Sequence, residues 1–105
     1  MDEIFMIAKV KAKPGLELAM ESELAALVQA THFEEGCLLY ALYRDLNDLS
    51  RFVIIERFSS KNALDAHYAS NHFSNHFSMI SPMLEKDPEI IQLSSLGAGE
   101  KGKLF

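Results

Sequence analysis

Cys37-Leu38-Leu39-Tyr40-Ala41-Leu42-Tyr43 and Phe52-Val53-Ile54-Ile55-Glu56-Arg57-Phe58 are two runs of β-branched, aromatic and aliphatic residues, joined by the polar connector Arg44-Asp45-Leu46-Asn47-Asp48-Leu49-Ser50-Arg51. Runs of this kind fit a pleated surface, and the turn formers between them predict an antiparallel hairpin. Strand parity points Cys37, Leu39, Ala41 and Tyr43 to one face and Leu38, Tyr40 and Leu42 to the other. In the second run Phe52, Ile54 and Phe58 oppose Val53 and Ile55. Both faces are therefore apolar, whereas a sheet with one wet face alternates apolar with polar.

Working outward, Ile4 to Ala12 reads as a strand ended by Pro14-Gly15. Leu16, Met20, Leu24, Leu27 and Val28 then recur at helical spacing beside Glu17, Glu21 and Glu23, and Gly36 resets the chain. After the hairpin, Ser59-Ser60 looks like a cap for a short helix carrying Leu64, His67 and Tyr68. A second helical piece is expected from Ser70 to Leu84, with Pro82 placed near its end. Pro88 opens a last strand, Glu89 to Leu96, and Gly97 to Phe105 reads as a mobile tail. The prediction is one domain over 1–96 and a flexible tail over 97–105.

The order strand, helix, strand, strand, helix, strand is that of an α+β, ferredoxin-like βαββαβ subunit with an antiparallel sheet. Its helices cover one sheet face. The other is expected to pack on a second copy, giving a sheet-on-sheet homodimer.

The chain has 105 residues, 49% hydrophobic and 24% charged, which is ordinary globular usage. Its formal net charge of −5 disfavours nucleic acid and anionic lipid as partners. A single cysteine, Cys37, allows no internal disulfide and fits a reducing compartment. The N-terminus, Met1-Asp2-Glu3-Ile4, is acidic where a signal peptide is basic, and no apolar run is long enough for a membrane span. The expectation is a cytoplasmic protein without membrane contact.

Three of four histidines, His67, His72 and His76, fall in one segment, where Asn71-His72-Phe73-Ser74 is followed by Asn75-His76-Phe77-Ser78. On a helix, His72 and His76 are neighbours, as are Phe73 and Phe77. Such a histidine pair can hold a transition metal, but no third ligand is evident, so no metal is predicted. The other chemistry open to these histidines is proton transfer near neutral pH. Against that stands a simpler role, with the Phe residues anchoring the segment and the histidines at its rim. His67 falls near the apolar stripe of Leu64, either as a core residue or lining a cavity. Glu56 sits among apolar residues on the face of Ile54 and Phe58, where an unpaired carboxylate is expensive. Arg44, Arg51 or a histidine across the fold are its candidate partners. Phosphate-cradling loops, CxxC pairs and nucleophile elbows are missing from the sequence.

Glu35-Gly36-Cys37-Leu38-Leu39-Tyr40, Arg51 through Phe58, Ala63-Leu64-Asp65-Ala66-His67 and Asn71-His72-Phe73 together resemble the antibiotic biosynthesis monooxygenase family, over residues 4 to 96. The resemblance implies a dimeric α+β barrel with a small pocket between helices and sheet. It also implies oxidation of phenolic, quinol or polyketide-like substrates by dioxygen without flavin, haem or metal. The roles would fall to His67 or His72 as base, with Tyr40, Tyr68 and Asn71 as hydrogen-bond donors. Glu56, Phe58 and His76 complete the expected substrate-binding set. Phe58 stands where many relatives have tryptophan, and Lys9 where the haem-degrading branch carries asparagine, so haem degradation is disfavoured. The alternatives are an isomerase of a small carbonyl or phosphorylated sugar, and a non-catalytic small-molecule-binding dimer.

Overall fold

A computed structural model describes residues 3–97 and 99–103. The chain runs β1 (Ile4–Lys11), α1 (Glu17–Thr31), β2 (Cys37–Arg44), β3 (Arg51–Phe58), α2 (Lys61–Ala69), α3 (Asn71–Ile80), a 3-10 turn (Ser81–Met83) and β4 (Glu89–Leu93). All strand pairings are antiparallel and the sheet order is β2-β3-β1-β4. This is the βαββαβ ferredoxin-like arrangement, with the second helical crossover broken into α2 and α3.

Each boundary has a local cause. Gly15 takes φ +88° between β1 and α1, a left-handed conformation that glycine adopts at little cost. The Glu17 carboxylate then reaches back to accept from the Gly15 N–H at 3.1 Å. Ser60 caps α2 by accepting from the Ala63 N–H at 3.1 Å, and Ser70 caps α3 by accepting from the Phe73 N–H at 3.2 Å. Pro82 sits in the 3-10 turn, beyond the last α-helical residue, where its missing N–H costs nothing.

The buried face of the sheet carries Met6, Ala8 and Val10 from β1, Tyr40 from β2, and Phe52, Ile54, Glu56 and Phe58 from β3. Met20, Leu24 and Leu27 of α1, Leu64 of α2 and Ile80 of α3 close over it. The opposite face bears Phe5, Ile7, Leu39, Ala41, Val53 and Ile55, and the helices leave it uncovered.

Two expectations need correction. Cys37 pairs with Phe58 whereas Leu39 already pairs with Arg57, so a β-bulge lies between them. The extra residue turns Cys37 to the core side with Tyr40, not to the face of Leu39 and Ala41. β4 also ends at Leu93 and not at Leu96, because Leu93 pairs with Phe5 and β1 itself begins at Ile4. Of the segment read as a tail, residues 98, 104 and 105 lie outside the described residues, as do 1 and 2 of the acidic N-terminus. No helix among the described residues is long and apolar enough to cross a membrane.

Candidate active site

A cavity of about 60 Å³ lies between the sheet and α1, α2 and α3. Tyr40, Glu56, His67, Tyr68, Phe73 and Phe77 line it, over an aliphatic floor from β1 and β3. Tyr40 and Glu56 are cross-strand partners on β2 and β3, which fixes their side chains side by side on the helix-facing surface. His67 is delivered by the second turn of α2 and is 1% exposed. Its ring packs against those of Phe58, Phe73, Tyr40 and Tyr68, with centroids 5.1 to 5.3 Å away.

Glu34, in the turn between α1 and β2, holds the histidines. The turn is set by hydrogen bonds from Glu34 N–H to the Thr31 carbonyl and from Cys37 N–H to the Glu34 carbonyl. Glu34 Oε2 lies 2.8 Å from His67 Nδ1 and also contacts His72 Nε2. At the junction of α2 and α3, Ser70 Oγ donates to the His67 carbonyl at 2.6 Å and lies 3.2 Å from His72 Nε2. His76 turns elsewhere, to Glu23 of α1 at 3.0 Å. The carboxylate that meets histidines is thus shared by His67 and His72, and the expected neighbours His72 and His76 go to different partners.

Glu56 is 3% exposed, and its Oε1 has no hydrogen-bond partner among the described residues. The arginines proposed for it are engaged elsewhere, Arg44 with Glu21 and Arg51 with Asp45, because both lie at the far end of the hairpin. Burial, and then the charge of Glu34, push the Glu56 carboxyl up to about 8, so it is mainly protonated at neutral pH. Burial and the charge of Glu56 raise Tyr40, and push Tyr68 up to about 12. Burial holds His67 below its ordinary value, against the opposing pull of Glu34. The cavity therefore holds neutral hydrogen-bonding groups around an unprotonated imidazole. Cys37 is an unreactive thiol, pushed up to about 11 by burial and then by Glu34.

Of the residues expected at the site, Tyr40, Glu56, His67 and Tyr68 line the cavity, whereas Phe58, Asn71, His72 and His76 do not. Phe58 backs His67, and His72 and His76 lie outside the cavity, partly exposed, against Glu34 and Glu23. Sequence reasoning missed Glu34. No local spacing marks it, because its partners are 33 and 38 positions away.

The fold and the site define a ferredoxin-like α+β chain with a buried imidazole and a buried carboxyl in an apolar cavity. More specifically, residues 3–78 match the model of the antibiotic biosynthesis monooxygenase family, and the chain belongs to that family. It is 30% identical over 93 residues to "Putative monooxygenase Rv0793" of Mycobacterium tuberculosis, covering 89% of this chain and 91% of that one. The solved structure of Rv0793 superposes with a TM-score of 0.86, covering 93% of this chain and 99% of that one, at 28% identity. The crystal structure of PA3566 from Pseudomonas aeruginosa gives 0.85 at 36% identity, covering 92% and 97%.

Proposed function

We propose that the protein is a cofactor-independent monooxygenase acting on a small phenolic, quinol or polyketide-like compound. The observation that carries this reading is His67, buried in the cavity wall with Nδ1 held by Glu34. A ring whose Nδ1–H is donated to a carboxylate leaves Nε2 free to accept a proton. His67 takes a proton from the substrate, and the resulting electron-rich anion reduces dioxygen itself. For a methylene carbon flanked by aromatic rings, two C–H bonds are replaced by C=O. One oxygen atom enters the product and the other leaves as water, so four electrons pass from substrate to dioxygen. Tyr40, Tyr68 and the protonated Glu56 donate hydrogen bonds to the developing oxyanion. Glu34 orients His67, and His72, 28% exposed, links the carboxylate to solvent.

Size decides how the substrate enters. A cavity of about 150 Å³ accommodates benzene, and 60 Å³ is well short of that. Phe73, Phe77 and the half-exposed Tyr68 must swing aside to admit an aromatic ring. The uncovered sheet face supports a homodimer, since an apolar surface of that extent is unusual on a monomer.

Oxygen uptake with a panel of hydroquinones and anthrones tests the activity. The expected result is turnover that falls by about 10²-fold or more in His67→Ala, as for a lost general base. Equal rates for the two proteins overturn the role of His67. Hydrogen–deuterium exchange into a carbonyl substrate under anaerobic conditions, with no oxygen uptake, replaces oxidation by isomerisation.

A further inference from the structure

We propose that Glu34, His67 and His72 form a binding site for one divalent first-row transition-metal ion. The site goes beyond the oxidation reading and stands without it. One oxygen of Glu34, Nδ1 of His67 and Nε2 of His72 all lie within 4.8 Å of one another. Ligand atoms around a tetrahedral ion with arms near 2.1 Å are about 3.4 Å apart. The 2.8 Å between His67 Nδ1 and Glu34 Oε2 must therefore open by about half an ångström, and the shorter contact of His72 with the same oxygen by more. Three protein ligands leave a further position for water, and two imidazoles with one carboxylate suit zinc, cobalt, nickel or iron better than magnesium or calcium.

Two features favour an ion over a plain hydrogen-bonded cluster. Glu34 is only 15% exposed, and among the described residues its ion-pair partners are these two histidines, with no lysine or arginine. The helices that carry the two histidines are also held together, because Ser70 bonds to backbone on both sides of the break between them. His72 is 28% exposed and opens the site to solvent.

Occupancy has a consequence for His67. A metal on Nδ1 leaves the one imidazole proton on Nε2, so the ring donates there and accepts nothing. Metal binding and proton acceptance by His67 are then mutually exclusive, and the ion acts as an inhibitor.

The test is calorimetric titration of the untagged chain with zinc, and visible absorption with cobalt. The expected result is one ion per chain, displacement of cobalt by zinc, and no competition from magnesium. His72→Ala and Glu34→Gln should each weaken binding at least tenfold, while His76→Ala retains it, with far-UV circular dichroism confirming the fold of each. No binding by the wild type at micromolar zinc overturns the proposal. So does binding untouched by His72→Ala and Glu34→Gln, or loss of binding in His76→Ala. Ion binding by a chain whose metal-free form also consumes no oxygen supports the site and counts against the oxidation reading alone.

Discussion

Glu34 and His67, separated by 33 positions in the chain, meet through a hydrogen bond of 2.8 Å between Oε2 and Nδ1 at the wall of the cavity. The carboxylate fixes which imidazole nitrogen carries the proton, so its charge matters as well as its shape. Glu34→Gln keeps the size and an acceptor oxygen but removes the charge. In the oxidation assay it should lower kcat by about 10-fold to 100-fold, the range of partners that orient a functional histidine, with KM little changed. Steady-state kinetics checks this. A rise in KM at constant kcat would place Glu34 in binding instead.

Glu56 predicts how stability varies with pH. Its carboxyl is pushed from 4.5 to about 8 in the folded chain. The folded state keeps a proton that the unfolded state has released, so its contribution is complete below the unfolded value and lost as pH rises through the folded one. His67, lowered from 6.5, acts with the opposite sign below 6.5 and offsets Glu56 there. The clear window is therefore between pH 6.5 and about 8. Unfolding free energy should fall across it by up to about 1.4 kcal/mol per pH unit. Denaturant titrations at fixed pH should show this slope in the wild type and not in Glu56→Gln.

Lysine at two strand positions separates the sheet faces. Tyr40 is buried under the helices and Val53 lies on the uncovered face. Tyr40→Lys should strongly destabilise the chain, because it removes a ring packed against Phe58 and His67 and desolvates an ammonium at a cost that pairing with Glu56 does not repay. Val53→Lys should leave a folded monomer, since an obligate sheet-on-sheet interface buries on the order of 2,000 Å² and a second lysine directly beside Lys9, its cross-strand partner, adds like charge within it. Sedimentation velocity reads both results. A wild type that sediments as a well-behaved monomer at micromolar concentration ends the homodimer reading.

Gly36, in the turn before β2, marks a close approach to α2. A Cβ built there would lie 2.3 Å from Ala63 Cβ and 3.4 Å from the Ala63 backbone. Gly36→Ala should cost about 1 to 3 kcal/mol, the usual range for overpacking. The double variant with Ala63→Gly should be less destabilised than the sum of the singles, because the second change removes the clashing atom. Thermal denaturation of the four proteins completes the cycle.

The sequence by itself determined the element order, the hairpin, the caps at Ser60 and the position of Pro82. It also predicted apolar residues on both sheet faces, and the uncovered face carries Phe5, Ile7, Val53 and Ile55 together with Lys9 and Arg57. These follow from periodicity and from short-range hydrogen bonding, which neighbouring residues decide between themselves. Glu56 stood out as a carboxylate in an apolar strand for the same reason, since parity alone places it inside. The tertiary structure alone decided who meets whom. The bulge after Cys37 depends on how β2 registers against β3, and the shortened β4 on where β1 begins. Arg44 and Arg51 pass Glu56 by because the hairpin carries them to its far end. Glu34 joins His67 and His72 because the turn after α1 packs beside the break between α2 and α3. That meeting depends on chain closure over more than thirty residues, which no local pattern encodes.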